Sequence, residues 1–156
     1  MKIRILNEKT PVIYAKDELS KYLLQMGNEI NEQGKVIELG LYSDFKKIKQ
    51  EDNEKEDSFV INIKKGKGFI AGSNPRSVLY GVYKYLKELG CDWVRPGKDG
   101  EIVPKRDVKQ YDVILSEKAS YNYRGVCMAG SISIENVFSI AGVLSRYPAL
   151  VENLKK

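Results

Sequence analysis

The stretch Gly72-Ser73-Asn74-Pro75-Arg76-Ser77-Val78-Leu79-Tyr80-Gly81-Val82-Tyr83 marks the place where an apolar run ends and a helix begins. Asn74 is a favoured N-cap residue. Pro75 suits the first helical position because a backbone N–H has no partner within the helix there, so proline loses no hydrogen bond. The apolar residues that follow recur at steps of three and four until Gly90, namely Val78, Leu79, Val82, Tyr85, Leu86 and Leu89. This spacing predicts an amphipathic helix that ends at a glycine.

The segment before this helix predicts a β-hairpin. Two apolar runs, at 58–64 and 67–72, flank the short turn Lys65-Gly66. A glycine turn between two such runs is the usual signal of two antiparallel strands. Together with the helix they predict a strand–turn–strand–helix unit in the middle of the chain.

Beyond residue 120, the sequence predicts a strand at 123–128 and a helix from Ser133 to about Leu144. The rest of residues 1–120 predicts one further helix and four further strands. Thr10-Pro11 opens the helix, with Thr10 as its expected cap, and Gly27 closes it. The strands are expected at 2–6, 36–42, 91–94 and 111–115, and the charged segment 46–57 is expected to be an exposed connection. This order predicts an α/β fold of the α+β two-layer sandwich type. Its mixed sheet has five to six strands, and its two main helices lie on one face.

The 156-residue chain contains no histidine and two cysteines, Cys91 and Cys127. These counts exclude a Ser-His-Asp or Cys-His nucleophile and an imidazole zinc site. We therefore expect no metal and no cofactor. Cys91 is expected to be a small buried hydrophobe, and the alternative is a thiolate activated by a neighbouring lysine or arginine.

Residues 64–109 carry eleven basic and five acidic side chains, and the chain as a whole has a formal charge of +5. This excess could form a nucleic-acid face, but a solvated lysine-rich surface is the simpler interpretation because no RNP-like aromatic motif accompanies it. No apolar run is long enough to span a membrane, and no signal-peptide pattern follows Met1. We expect no nucleic-acid or membrane partner, and a cytoplasmic location by default. A secreted location stays open if a leader has been removed.

Three local patterns need an interpretation, and two of them have both a structural and a functional one. The first helical N–H groups after Gly72 could bind an anion or a sugar hydroxyl, as the N-terminus of any helix could. Gly81 lies inside the second helix, where glycine costs about 1 kcal/mol relative to alanine, so a close approach to the sheet is expected. Asp92, Asp99 and Glu101 could supply the paired carboxylates of glycoside hydrolysis, or they could lie on a solvated loop.

The ordered set of anchors from Gly72 to Val103-Pro104 resembles the small α/β domain that precedes the catalytic barrel of several glycoside hydrolases. These are the family 20 hexosaminidases, the family 67 alpha-glucuronidases and related uncharacterised bacterial proteins. The resemblance extends over residues 60–104 and, less closely, over 1–59. Its structural motif consists of Gly72, Tyr80, Gly81, Gly90, Cys91, Trp93, Pro96 and Gly97.

This resemblance implies a noncatalytic accessory domain at residues 1–120 and the truncated start of a barrel-like domain at 121–156. Tyr123-Arg124-Gly125 resembles a first barrel strand, so Arg124 is implied to contact the sugar. The aspartate that follows Arg-Gly in family 20 is absent, because Cys127-Met128-Ala129 stands there. A barrel needs about 250 residues, so we expect no catalysis by this chain alone. The implied partner is the catalytic barrel of the parent protein, with carbohydrate as a possible second partner.

Two other functions stay open at this point. The first is a stand-alone carbohydrate- or protein-binding module, in which exposed aromatic rings such as Tyr14, Tyr42 or Tyr83 would form a stacking platform. The second is a nucleic-acid-binding domain that uses the basic middle segment.

Overall fold

The computed structural model of this chain describes residues 1–95 and 97–121. Their helices and strands, in chain order, are β1 Lys2–Ile5, α1 Thr10–Gln25, β2 Val36–Leu41, β3 Ser58–Lys64, β4 Lys67–Gly72, α2 Pro75–Glu88, β5 Asp92–Trp93, β6 Glu101–Ile102 and β7 Asp112–Lys118. Short 3-10 helices lie at Tyr42–Asp44, Lys98–Gly100 and Val108–Gln110.

Five of these strands form one mixed sheet in the order β1-β2-β4-β3-β7. Strands β1, β2 and β4 are parallel to one another, whereas β3 is antiparallel to both β4 and β7. Strand β5, expected from the sequence, does not join this sheet. It pairs with the unpredicted strand β6 in a separate two-stranded ribbon, in which Trp93 lies opposite Glu101.

Both helices pack on the same face of the sheet and bury its apolar side chains. In β3, for example, Phe59, Ile61 and Ile63 are buried, while the residues between them are only partly covered. The buried stripe of α1 consists of Val12, Ala15, Leu19, Tyr22 and Leu23. These side chains belong to the same hydrophobic cluster as the buried stripe of α2. The predicted α+β sandwich with a mixed sheet is therefore confirmed.

The two helices begin differently. Helix α2 has the predicted cap, since the Asn74 side chain accepts a hydrogen bond from the Ser77 N–H at 3.0 Å. The prediction that Thr10 caps α1 is wrong, because the N-cap residue is Lys9, which makes no capping hydrogen bond through its side chain. Asn7 turns the chain just before this point, and its Oδ1 accepts a bond from the Lys9 N–H at 3.0 Å.

Helix α2 approaches β4 closely at two glycines. A Cβ atom on Gly81 would lie 2.6 Å from Ile70 Cγ2 in the centre of β4, and one on Gly72 would lie 2.6 Å from the Val78 backbone nitrogen. Real Cβ contacts are longer than this, so neither position accepts a side chain without movement of its neighbour. The predicted close contact at Gly81 is confirmed, and Gly72 provides a second one at the start of the helix.

We predict that Gly72→Ala lowers the free energy of unfolding by about 2 kcal/mol, because the added methyl group meets backbone atoms that cannot rotate away. Gly27→Ala is the matched control, since Gly27 has a positive φ of 96° but no atom within 4 Å of an added Cβ. Its cost of about 1 kcal/mol comes from backbone conformation alone. Urea denaturation of both variants measures the difference. A smaller loss for Gly72→Ala than for Gly27→Ala would contradict the close contact.

One polar atom of the core has no partner in the part of the chain that the structure describes. Tyr85 is fully buried, and its hydroxyl makes no hydrogen bond there. Burial alone raises the pKa of this phenol well above its ordinary value. Burial also raises the pKa of Tyr42, against the opposing effect of its hydrogen bond to Ser58.

These raised pKa values predict that stability falls as the pH rises above about 10, because the unfolded tyrosines then lose protons that the folded ones keep. At neutral pH, Tyr85→Phe should not lower the stability, and it should raise it by up to about 1 kcal/mol, since it removes an unsatisfied buried hydroxyl. The variant should also show a shallower alkaline loss. Denaturant titrations between pH 7 and pH 11 test both points. A clear loss of stability in Tyr85→Phe at pH 7 would mean that the hydroxyl has a partner.

Candidate functional site

The corner between β4 and α2 contains a buried polar cluster. Ser73, Asn74 and Ser77 are each no more than 2% exposed. The Ser73 hydroxyl donates to the Glu56 carbonyl at 2.6 Å and accepts from the Ser58 N–H at 3.0 Å. Buried polar groups cost free energy unless they are hydrogen-bonded, and these bonds join the corner to the segment just before β3.

Asp57 lies at the centre of the same corner. Its Oδ1 atom accepts bonds from Asn74 Nδ2 at 2.9 Å, Arg76 Nη2 at 3.2 Å and Ser77 Oγ at 3.4 Å. The Asn53 N–H also donates to the Ser73 carbonyl at 2.7 Å. The start of α2, which the sequence left open as an anion or sugar site, is thus capped by Asn74 and covered by the chain's own segment 53–57.

A second cluster surrounds Trp93, on the ribbon formed by β5 and β6. The indole ring meets the rings of Tyr22 and Tyr83 edge to face, each at a centroid distance of 5.3 Å. Its Nε1–H donates to the Tyr22 hydroxyl at 2.8 Å, and this hydroxyl donates to Glu101 Oε1 at 3.0 Å. A two-stranded ribbon is marginally stable by itself, so these contacts hold it against α1 and α2.

Charged groups complete the Trp93 cluster. The Lys21 ammonium lies 3.7 Å from Glu101 and 3.8 Å from Glu18, and the Tyr83 hydroxyl donates to Glu18 at 2.6 Å. Burial opposes the charge of Lys21, but its hydrogen bond to Tyr22 and the two carboxylates together raise its pKa. Burial, followed by the hydrogen bond to Glu18, raises the pKa of Tyr83. The polar atoms of the cluster are thus engaged with one another.

A double-mutant cycle tests whether the Trp93 cluster is a structural unit. Tyr22→Phe should lower the free energy of unfolding by about 1–3 kcal/mol, because it leaves the indole N–H and Glu101 without their shared partner. Trp93→Phe removes the indole N–H that donates to the Tyr22 hydroxyl. The double variant should cost less than the sum of the singles by at least about 0.5 kcal/mol, as measured by urea denaturation. Additive losses would contradict a hydrogen bond between the two side chains.

With this geometry in place, a comparison with known families becomes informative. The profile of the glycosyl hydrolase family 67 N-terminus matches residues 1–85, which is more than half of the chain. The chain belongs to this family. The match runs from β1 through most of α2 and includes both glycine contacts of that helix with β4. The family match confirms the prediction that this chain contains an accessory domain of a glycoside hydrolase.

A search of curated proteins finds no significant match. Among solved structures, the chain is similar to a GH138 enzyme targeting pectin rhamnogalacturonan II, with 21% sequence identity and a TM-score of 0.43. That similarity covers 57% of this chain and 9% of the enzyme. The chain therefore spans a small part of the length of this larger protein.

In this family 67 N-terminal domain, Gly90, Cys91 and Gly97 also have structural roles. Gly90 has a positive φ of 94° and lets the chain turn at the end of α2. Cys91 is 1% exposed, as predicted for a buried hydrophobe. Burial raises the pKa of its thiol, and the nearby Arg106 offsets this only in part. Gly97 also has a positive φ, of 104°, and Tyr80 is 42% exposed on α2.

The three carboxylates of residues 92–101 bind three different partners. Asp99 binds Arg95 at 2.5 Å, Asp92 accepts from the Trp93 N–H at 3.0 Å, and Glu101 binds Tyr22. Asp92 and Asp99 are both exposed, as the solvated interpretation expects, although Asp92 lies on β5 and Asp99 in a 3-10 helix. The role of Glu101 in the Trp93 cluster was not predicted, because Tyr22 lies 79 residues away in the sequence.

The proposed aromatic platform is wrong for Tyr42, which is 2% exposed and donates its hydroxyl to Ser58 at 3.0 Å. Tyr14 is 50% exposed, whereas Tyr83 belongs to the Trp93 cluster. Several cations of the basic segment are also paired with acids, as in Arg76 with Asp57 and Lys84 with Glu117.

Pro96, Arg124 and the whole segment 122–156 lie outside the described residues, so the domain boundary near residue 120 and the sugar contact of Arg124 stay predictions. Within the described ranges, no helix is long and apolar enough to cross a membrane. The same ranges contain no group of three cysteine or carboxylate side chains that could hold a metal ion.

Proposed function

We propose that this chain is the noncatalytic N-terminal accessory domain of a glycoside hydrolase whose catalytic barrel belongs to the same protein. The observation that carries the proposal is the family 67 N-terminal match over β1 to α2. The motif residues support it, because Gly72 and Gly81 serve the packing of α2, and Trp93 tethers a ribbon. None of these three contacts leaves a polar group arranged for proton transfer or nucleophilic attack.

For the parent enzyme we infer an alpha-glucuronidase-like activity. The matching profile is that of family 67, and the sequence lacks the aspartate that follows Arg-Gly in the hexosaminidases. A glucuronyl group carries a carboxylate, which suits the planar, permanently charged guanidinium of an arginine. Arg124 is our candidate for this contact in the intact protein.

The direct test uses the whole reading frame that contains this chain. We expect the protein to continue for a barrel of about 250 residues and to release glucuronic acid from glucuronyl oligosaccharides. Removal of residues 1–121 should lower the unfolding temperature or the soluble yield, because an accessory domain contributes stability to its neighbour. A reading frame that stops at Lys156, with no barrel encoded beside it, would contradict the proposal.

Arg124 has its own test in that protein. Arg124→Lys keeps the charge but loses the two parallel donors, so kcat/KM should fall by about tenfold or more, while the unfolding temperature should stay the same. Arg95→Lys is the control, since Arg95 is an exposed arginine of the accessory domain that pairs with Asp99, and this variant should leave kcat/KM unchanged. Equal kinetics for the two variants would remove Arg124 from the sugar site.

A carbohydrate-binding module is the second candidate. It is supported by a groove of about 450 Å³ on the sheet face that lies opposite the helices. The rings of Phe45 and Phe69 stack there with a centroid distance of 4.8 Å, beside Arg4 and Lys46.

Titration calorimetry of the chain with neutral and acidic oligosaccharides tests carbohydrate binding. Nucleic-acid binding is the third candidate, and retention of the chain on heparin at rising salt concentration tests it. A domain whose only role is structural should show neither.

A further inference from the structure

The last strand of the sheet leads to the end of the described chain. Strand β7 pairs with β3 along its whole length, and Lys118 lies opposite Ser58. The next residue, Ala119, donates its N–H to the carbonyl oxygen of Asp57 at 2.8 Å. Among the described residues, this is the backbone hydrogen bond nearest to Tyr121.

Asp57 therefore makes two sets of contacts. Its backbone carbonyl holds Ala119, while its carboxylate accepts from Asn74, Arg76 and Ser77 at the start of α2. The Asp57 side chain is only 11% exposed, and Asn74 is 1% exposed. A loop residue just outside a strand is ordinarily free to reorient. In Asp57, the bonds from three donors at the start of α2 hold the side chain, and the bond to Ala119 engages the backbone carbonyl.

We propose that Asp57 is a positioning residue that couples the buried start of α2 to the point at which the chain leaves the sheet. The carboxylate fixes the orientation of the residue, and this orientation presents the carbonyl to Ala119. The position of Ala119, the residue at which the chain leaves the sheet, then depends on a closed α2 cap. The use of this coupling in a larger enzyme rests on the proposed function, whereas the coupling itself is a property of this chain and is measured without any activity.

Two ion pairs near the end of β7 are the alternative contacts that could hold this part of the chain in place. Lys118 pairs with Glu56 at 2.6 Å, and Lys84 pairs with Glu117 at 2.8 Å. The side chains of Lys118 and Glu117 are 63% and 47% exposed, and ion pairs at such exposure contribute little to stability. The charge-assisted bonds to the less exposed Asp57 are the stronger anchor.

Amide hydrogen exchange in the 156-residue chain tests the coupling. Asn74→Ser keeps an oxygen that can cap α2 but loses the amide donors to Asp57, Asn53 and Glu56. We expect the Ala119 amide to exchange about tenfold faster in this variant, although Asn74 does not contact Ala119. The Leu6 amide, which binds the Leu39 carbonyl at 2.8 Å beside the far edge of the sheet, should keep its rate. Asp57→Ala should give the same selective change.

Leu23→Ala serves as the control for a general loss of stability. Leu23 is fully buried near the end of α1, away from the start of α2, so its truncation should leave the ratio of the Ala119 and Leu6 exchange rates unchanged. The inference is overturned if Asn74→Ser and Asp57→Ala leave Ala119 protected, or if they accelerate Ala119 and Leu6 by the same factor. Neither result would bear on glycoside hydrolysis by the parent protein.

Discussion

Helix α2 packs closely against β4 because neither Gly72 nor Gly81 carries a side chain, and the rest of the domain depends on this contact. Side chains at these positions would lie within 2.6 Å of Val78 and Ile70. Because the helix starts so close to the sheet, Ser73, Asn74 and Ser77 are buried and must find partners inside the protein. The segment 53–57 supplies these partners. The same helix presents Tyr83 to Trp93, so its position also sets the place of the β5–β6 ribbon.

The motif residues that the structure describes are therefore mainly structural. Glycines allow close packing, Asn74 caps a helix, and Trp93 joins a ribbon to α1 through Tyr22. An active site keeps reactive groups poised toward a substrate, whereas the polar atoms of both clusters bind each other. This difference agrees with the proposed role of an accessory domain.

The sequence predicts those parts of the structure that depend on neighbouring residues. Asn74-Pro75, Lys65-Gly66 and the apolar stripes act over a few positions, and the elements that they specify form as expected. Thr10 fails as a cap because a single residue type decides a helix boundary poorly when Asn7 can turn the chain instead. Contacts between distant positions leave no local pattern. The bonds of Tyr22 to Trp93 and Glu101 span 71 and 79 residues, and those of Asp57 to Asn74 join a charged connection to a helix cap.

The central claim is that these motif residues maintain the fold of an accessory domain and take no part in catalysis. The most direct test measures kcat/KM and thermal unfolding of the parent enzyme with Trp93→Leu, at a temperature well below the unfolding transition. The account predicts a lower unfolding temperature with kcat/KM within about twofold of the unmodified enzyme. A fall in kcat/KM of about tenfold or more at an unchanged unfolding temperature would contradict it, because Trp93 would then act on the substrate.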